Sequence, residues 1–170
     1  MKTWRDIEAQ QLKLLGFSFN YAEVLDACVA RLPNFPVVVE LGAGLGCSAT
    51  YLVQRHNIDV YTVDRFHYNH SFFTLSNLKA CGVLNRIRML PCISWYAAKL
   101  FDNASVDFVW MGAGGAGEYD SVTCDLNAWK PKLKPEGVMA GHDLALPAVR
   151  RALMNFGPWK ELGRNSWVLT

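Results

Sequence analysis

Two groups of residues in this 170-residue chain have types and spacings that can do chemistry. The first is VVVELGAGLGCSA, residues 37–49, followed by Asp64. Gly42, Gly44 and Gly46 permit backbone angles and close approaches that a side chain would block. A strand that turns here into a helix presents the free N–H groups of the helix start to a ligand. Asp64 falls where the next strand ends, and a carboxylate there can accept hydrogen bonds from both ribose hydroxyls. The second group is His142-Asp143. An imidazole changes charge near neutral pH and can serve as a base, with the adjacent carboxylate orienting it or offering one oxygen to a metal. The plainer alternative is that Asp143 caps the following helix and His142 is a satisfied loop residue.

The glycine spacing discriminates between cofactor classes. A dinucleotide site calls for G-x-G-x-x-G, because its pyrophosphate rests on the helix N-terminus. This chain reads G-x-G-x-G, with Cys47 where the third glycine of that pattern would fall. Glu40 stands directly before the loop. A carboxylate there repels a pyrophosphate but helps to hold a cationic amino group, directly or through water. S-adenosylmethionine has such an ammonium and no phosphate, so both departures favour it over a nicotinamide dinucleotide. Three glycines can also make nothing more than a tight turn. The preceding strand, Glu40 and the placement of Asp64 count against that.

The elements that position these groups follow from periodicity. Residues 3–30 show apolar positions at helical spacing, among them Leu12, Leu15, Val24, Leu25, Cys28 and Val29, with Gly16 expected to divide two helices. Residues 37–39 are a β-branched run of the kind found in strands buried on both faces. Strands are also expected over 60–63, 86–90, 106–111 and 137–140, and helices over 48–55, 71–81, 95–100, 119–129 and 147–156. Pro131 and Pro135 are expected to bracket a turn. Residues 160–162 and 166–169 predict a closing hairpin across Gly163-Arg164-Asn165. The alternation of strand and helix predicts one α/β domain over 1–170, with residues 1–34 as an N-terminal helical segment. Its sheet would be Rossmann-like, doubly wound, seven-stranded and mainly parallel, with a C-terminal antiparallel hairpin.

Composition excludes several function classes. The formal net charge is only +2, and the basic clusters at 86–88 and 130–134 are short, so no nucleic-acid footprint is expected. The five cysteines are odd in number and lack C-x-x-C spacing, which argues against a zinc site or a disulfide framework. The start MKTWRDIEAQQ is polar, and no apolar run is long enough to span a bilayer. These features predict a cytoplasmic protein with no membrane partner. Exposed apolar surface would allow a homodimer.

With these residues in place, the chain resembles the class I S-adenosylmethionine-dependent methyltransferases, from about residue 37 to its end. Glu40, Gly42, Gly44 and Gly46 match the first motif of that family, and Asp64 matches its ribose-binding acidic residue. The second half resembles the small-molecule branch called the methyltransferase domain 24 type. The branch pattern near the fourth strand, DFVFIDGDHSYEGV, is met here by DFVWMGAGGAGEYDSV at 107–122. The pattern near the fifth, GGVIAGHDY, is met by EGVMAGHDL at 136–144, and PAVRRAL follows at 147–153. The resemblance implies a small-molecule acceptor and places Ala43, Arg65, Cys92, Ile93, Ser94 and Met111 with the loop residues in the cofactor site. Phe66 and Trp95 are further pocket candidates, although Trp95 also suits a core position.

Three departures bear on catalysis. The fourth strand of the family usually ends in an aspartate that binds a divalent metal or assists catalysis, and here Gly112 or Ala113 stands in that region. The family's Gly-Asp-Ser beyond the third strand is Cys92-Ile93-Ser94, which removes the carboxylate near the adenine amino group. The run 112–117 carries no acid–base side chain and could form a lid, a wide entrance or the remnant of a lost site. One aspartate and one histidine are too few for a divalent metal, so none is expected. His67 and His70 have a spacing that would suit a metal on a helix, but no third ligand accompanies them. The expected activity is methyl transfer to a small molecule, with His142 and Asp143 as the catalytic pair. The alternative is an inactive domain that binds cofactor or a protein partner.

Overall fold

The computed structural model describes residues 1–15, 19–66, 70–112, 118–163 and 165–170. Gly16, His67, Tyr68, the run 113–117 and Arg164 lie outside them. Seven strands form one sheet in the order β3-β2-β1-β4-β5-β7-β6. They are β1 (Val38–Leu41), β2 (Val60–Asp64), β3 (Ile87–Pro91), β4 (Val106–Met111), β5 (Leu133–His142), β6 (Trp159–Glu161) and β7 (Ser166–Leu169). The five strands from β3 to β5 pair in parallel, while β7 runs antiparallel to both β5 and β6. The expected doubly wound, mainly parallel sheet with a closing hairpin is therefore present.

Burial explains why these runs are strands. All four residues of β1 and all six of β4 are buried, as expected for parallel strands covered on both faces. Alternation divides β1 between two cores. Val38 joins Leu52, Phe108 and Trp110 on one face, and Val39 and Leu41 join Val109, Leu126 and Trp129 on the other. Each fully buried Leu or Phe in these clusters contributes roughly 2–3 kcal/mol by leaving water.

The covering helices are α3 (Cys47–His56), α4 (His70–Ala80), α5 (Ser94–Ala97), α6 (Tyr119–Trp129) and α7 (Pro147–Phe156). The N-terminal helical segment forms α1 (Trp4–Leu15) and α2 (Ala22–Val29). Aromatic contacts fasten it to α3. Trp4 meets Tyr51 and Phe19 edge-on, at centroid distances of 5.1 and 5.5 Å. Asp26 of α2 accepts a 2.6 Å bond from the Tyr51 hydroxyl and lies 2.7 Å from His56 Nε2.

One element differs in extent from its expectation. β5 starts at Leu133, so Pro135 lies within the strand rather than in a turn before it. The pairing with β4 jumps from Val106↔Leu133 to Phe108↔Val138, which leaves Pro135 in an irregular stretch. A proline lacks the N–H that a ladder needs, and such stretches are where strands accommodate it.

Candidate active site at the carboxyl edge of the sheet

Strand order sets the site out in a row. From β3 across to β5, the carboxyl ends carry Cys92–Ser94, then Asp64, the glycine loop, Gly112 and finally His142. Ligands bind open α/β sheets at this edge.

The glycine loop bears out the conformational argument. Gly42, Gly44 and Gly46 have φ of +93°, +50° and +87°, all in the region that L side chains avoid. Gly46 is also the N-terminal boundary of α3 and provides no side-chain cap there. The Gly42 N–H donates to Val63 O at 2.8 Å, tying the loop to β2. Asp64 completes the tie: Oδ2 accepts from the Ala43 N–H at 2.9 Å and Oδ1 from the Phe66 N–H at 2.7 Å. A carboxylate has about four lone-pair positions, so Asp64 keeps capacity for ribose hydroxyls beyond these two bonds. The half-exposed side chain leaves that capacity accessible.

Glu40 is placed differently. It is fully buried in β1, and its carboxylate accepts hydrogen bonds from the hydroxyls of Ser48 and Thr62. The Thr62 bond is 2.6 Å long. Burial pushes its pKa up to about 7 against the pull of those hydroxyls, and neighbouring Asp64 adds to the rise. With no exposed surface and both oxygens engaged, this carboxylate can act on the ammonium of S-adenosylmethionine only through its charge or through Ser48, without direct contact. The left-handed loop, the spare capacity of Asp64 and this carboxylate together fit that cofactor's chemistry.

The other expected cofactor residues are dispersed along the edge. Arg65 is exposed beside Asp64. Cys92, half-buried, donates its N–H to Asp64 O at 3.0 Å, which holds the end of β3 to that of β2. Ile93 precedes α5 in extended conformation, and the Ser94 carbonyl accepts from Trp129 Nε1 at 3.1 Å. Met111 is 2 % exposed and belongs to the core beneath the edge.

At β4 and β5 the chain comes together tightly. A Cβ on Gly42 would lie 3.7 Å from Gly112 Cα, so the glycine loop and the end of β4 are in contact. A Cβ on Gly112 would stand 2.9 Å from Leu41 O and 3.4 Å from His142 Nε2. Any side chain at position 112 must therefore displace backbone, crowding His142 as it does so. His142 is 18 % exposed, and its Nδ1 lies 3.1 Å from Asp143 Oδ2. That approach is off the hydrogen-bonding direction, and Nδ1 has no hydrogen-bond partner. Burial pushes the Asp143 carboxyl up, but the adjacent imidazole more than offsets this and leaves it below its usual range.

The structure also removes one role considered for Asp143. Helix α7 is preceded by Leu146 and has no side-chain cap, so Asp143 does not cap it. Asp143 instead adopts φ +63°, a left-handed conformation uncommon outside glycine.

Two residues near the site went unnoticed in the sequence. Tyr21, at the start of α2, stacks on His142 with centroids 4.4 Å apart and planes 14° apart. No motif marks it, because it belongs to a segment that reads only as helical cover. Asp125 of α6 is fully buried beside Ser94, and its carboxylate makes no hydrogen bond of good geometry although the Ser94 hydroxyl is close enough to ease its ionisation. A signal for it did exist: Val122, Asp125, Leu126 and Trp129 share the inward face of the helix. Among the described residues, no group of three or more His, Cys, Asp or Glu could hold a metal ion.

The fold is that of the class I S-adenosylmethionine-dependent methyltransferases. A family model described as a methyltransferase domain, of the domain 24 type, matches residues 39–144, and the chain belongs to that family. A protein from Corynebacterium glutamicum superposes with a TM-score of 0.76 at 14% identity, over 99% of this chain and 89% of its own. Precorrin 8W decarboxylase from Methanobacterium thermoautotrophicum gives 0.66 at 21% identity, over 90% of each chain. Geranyl diphosphate C-methyltransferase from Streptomyces coelicolor A3(2), in complex with Mg2+, geranyl diphosphate and S-adenosyl-L-homocysteine, gives 0.63 at 15% identity. It covers 89% of this chain and 63% of that one. At these identities the likeness is one of fold. No curated protein matches the sequence significantly.

Proposed function

We propose that the chain is an S-adenosylmethionine-dependent methyltransferase acting on a small hydroxyl-bearing acceptor. The observation that carries this reading is the continuity of the edge. Asp64, the left-handed glycine loop, Gly112 and His142 Nε2 follow one another without interruption. Bound S-adenosylmethionine supplies an electrophilic methyl group. Asp64 takes the ribose, Glu40 answers the ammonium, and the loop amides hold the chain end. His142 accepts the acceptor's proton at Nε2, and Asp143 stabilises the resulting imidazolium from the Nδ1 side. The single domain and the cytoplasmic location belong to the same reading. No helix among the described residues is long and apolar enough to cross a membrane.

Calorimetric titration with S-adenosylhomocysteine tests the cofactor half. Absence of binding by folded protein at high ligand concentration rejects it. The lack of an acidic residue at Gly112 or Ala113, where the resemblance implies one, favours a second reading: an inactive domain that binds the cofactor or a protein partner without turnover. Transfer of a labelled methyl group to a panel of phenols and alcohols, lost in His142→Ala, decides for the enzyme.

A further inference from the structure

His142 is the only imidazole placed at the junction of the glycine loop and β4 among the described residues, and its orientation has an unusual source. Nδ1 lies 3.1 Å from Asp143 Oδ2 but makes no hydrogen bond of good geometry, so that contact alone does not fix the plane of the ring. The ring is held by planes instead. Tyr21 lies against one face at 4.4 Å and 14°, and Trp110 meets it at 5.7 Å and 44°. Trp110 is 1% exposed and packed in the core, so it serves as one wall. Tyr21 is the adjustable element, since it arrives from outside the sheet on the N-terminal segment. That segment is itself anchored. Tyr21 meets Phe19 at 6.0 Å and 89°, Phe19 meets Trp4, and both Phe19 and Trp4 pack on Tyr51 of α3. A chain of aromatic contacts thus runs from α3 through the N-terminal segment to His142.

We propose that Tyr21 is a positioning residue for His142, clamping the imidazole so that Nε2 faces Gly112 and the glycine loop while Nδ1 stays beside Asp143. The proposal rests on the methyltransferase reading for the reaction it serves, and on geometry alone for the clamp. The alternative role for Tyr21, as a base in its own right, is disfavoured: burial, and then the charge of Asp143, push its phenol up to about 12, so it stays protonated. What acts is the ring, and phenylalanine should replace it.

The test uses Tyr21→Phe and Tyr21→Leu in the full chain, with folding checked by circular dichroism. The first readout is the NMR signals of the His142 ring protons, which a stacked aromatic plane shifts upfield. They are expected to stay in place in Tyr21→Phe and to move downfield in Tyr21→Leu. The second readout is affinity for S-adenosylhomocysteine, expected unchanged in both. The third is methyl transfer to catechol or another phenol the wild type accepts. Tyr21→Leu is expected to lower kcat by roughly 10- to 100-fold, as misplacement of a reacting group does, with Tyr21→Phe near wild type. Should Tyr21→Leu not fold, Tyr21→Met keeps apolar bulk without the plane and takes its place. Ring signals that do not move on loss of the aromatic plane overturn the clamp. A wild type that binds no S-adenosylhomocysteine overturns the functional reading instead, and the ring signals still decide the clamp.

Discussion

In β1 and β2 the carboxylates of Glu40 and Asp64 are spent on holding the chain, whereas His142 at the end of β5 and Asp125 behind Ser94 hold little. Asp64 accepts from two backbone amides and Glu40 from two hydroxyls. His142 Nδ1 and both oxygens of Asp125 make no hydrogen bond of good geometry, having only Asp143 and Ser94 close by. Buried polar groups are nearly always satisfied, because an unmet one costs about 1–3 kcal/mol. The first region is thus a hydrogen-bonded cradle, and on the proposed reading its residues serve structure and ligand together. The second retains hydrogen-bonding capacity at the expense of stability, as reactive sites do. Binding and chemistry should accordingly respond to different substitutions.

The sharpest break in that comparison is His142→Ala. Loss of a general base is expected to lower kcat by roughly 10²–10⁴-fold, while affinity for S-adenosylhomocysteine stays as in the wild type. A parallel loss of affinity would mean that the two regions are one. Asp64→Ala should do the reverse and abolish binding. It removes charge-assisted bonds to the Ala43 and Phe66 amides as well as the ribose contacts. Two such bonds at about 1.5–3 kcal/mol each correspond to roughly 100-fold or more in Kd. Titration calorimetry reads this directly, and Asp64→Asn should fall between.

The sequence exposed the first region far better than the second, for a physical reason. A left-handed turn admits few residues other than glycine, so Gly42, Gly44 and Gly46 announce their conformations. Asp64 is legible for a similar reason, because its place at a strand end fixes what it can reach. The strands of the parallel sheet are equally readable, since burial on both faces demands the continuous apolar runs at 37–39 and 106–111. Tyr21 has no such constraint. Many residues could start α2, and its meeting with His142 depends on how the N-terminal segment folds back over the sheet. Pro135 misled in the opposite sense: the rule that proline breaks strands is sound, but the irregular pairing with β4 absorbs it. That position 112 has no room for a side chain, because of Leu41 O and His142, required coordinates.

Glu40 sharpens the comparison through pH. Its folded pKa is raised to about 7 from 4.5, so the protonated form is the one that folding favours. The stability it confers is complete below its unfolded pKa and is lost as pH rises through about 7. The size is on the order of 3 kcal/mol for a fully buried group. Thermal melts of the wild type should therefore decline from pH 5 to pH 8, and those of Glu40→Gln should be flatter. If the carboxylate answers the ammonium of the cofactor, binding near neutral pH must release protons. Titrations of S-adenosylhomocysteine in buffers of different ionisation enthalpy would show that release. Its absence in a protein that binds would place the ammonium elsewhere.

Asp125 gives a smaller effect with the same sign. Burial raises its carboxyl to about 6, and nearby Ser94 tempers the rise. Its contribution is greatest below pH 3.8 and falls away as pH rises through about 6. At pH 7.5 the chain thus carries a buried charge eased only by Ser94, and Asp125→Asn should raise the melting temperature, with a gain of about 1–3 kcal/mol in stability. The gain should vanish near pH 4.5. A lowered melting temperature at pH 7.5 would show that the carboxylate is structurally required, and the contrast between the two regions would then rest on His142 alone. If stability rises but affinity for S-adenosylhomocysteine falls, the carboxylate is kept for the turn at Cys92-Ile93-Ser94, acting through Ser94. In that case α6 supplies, from behind, a negative charge that Ile93 does not.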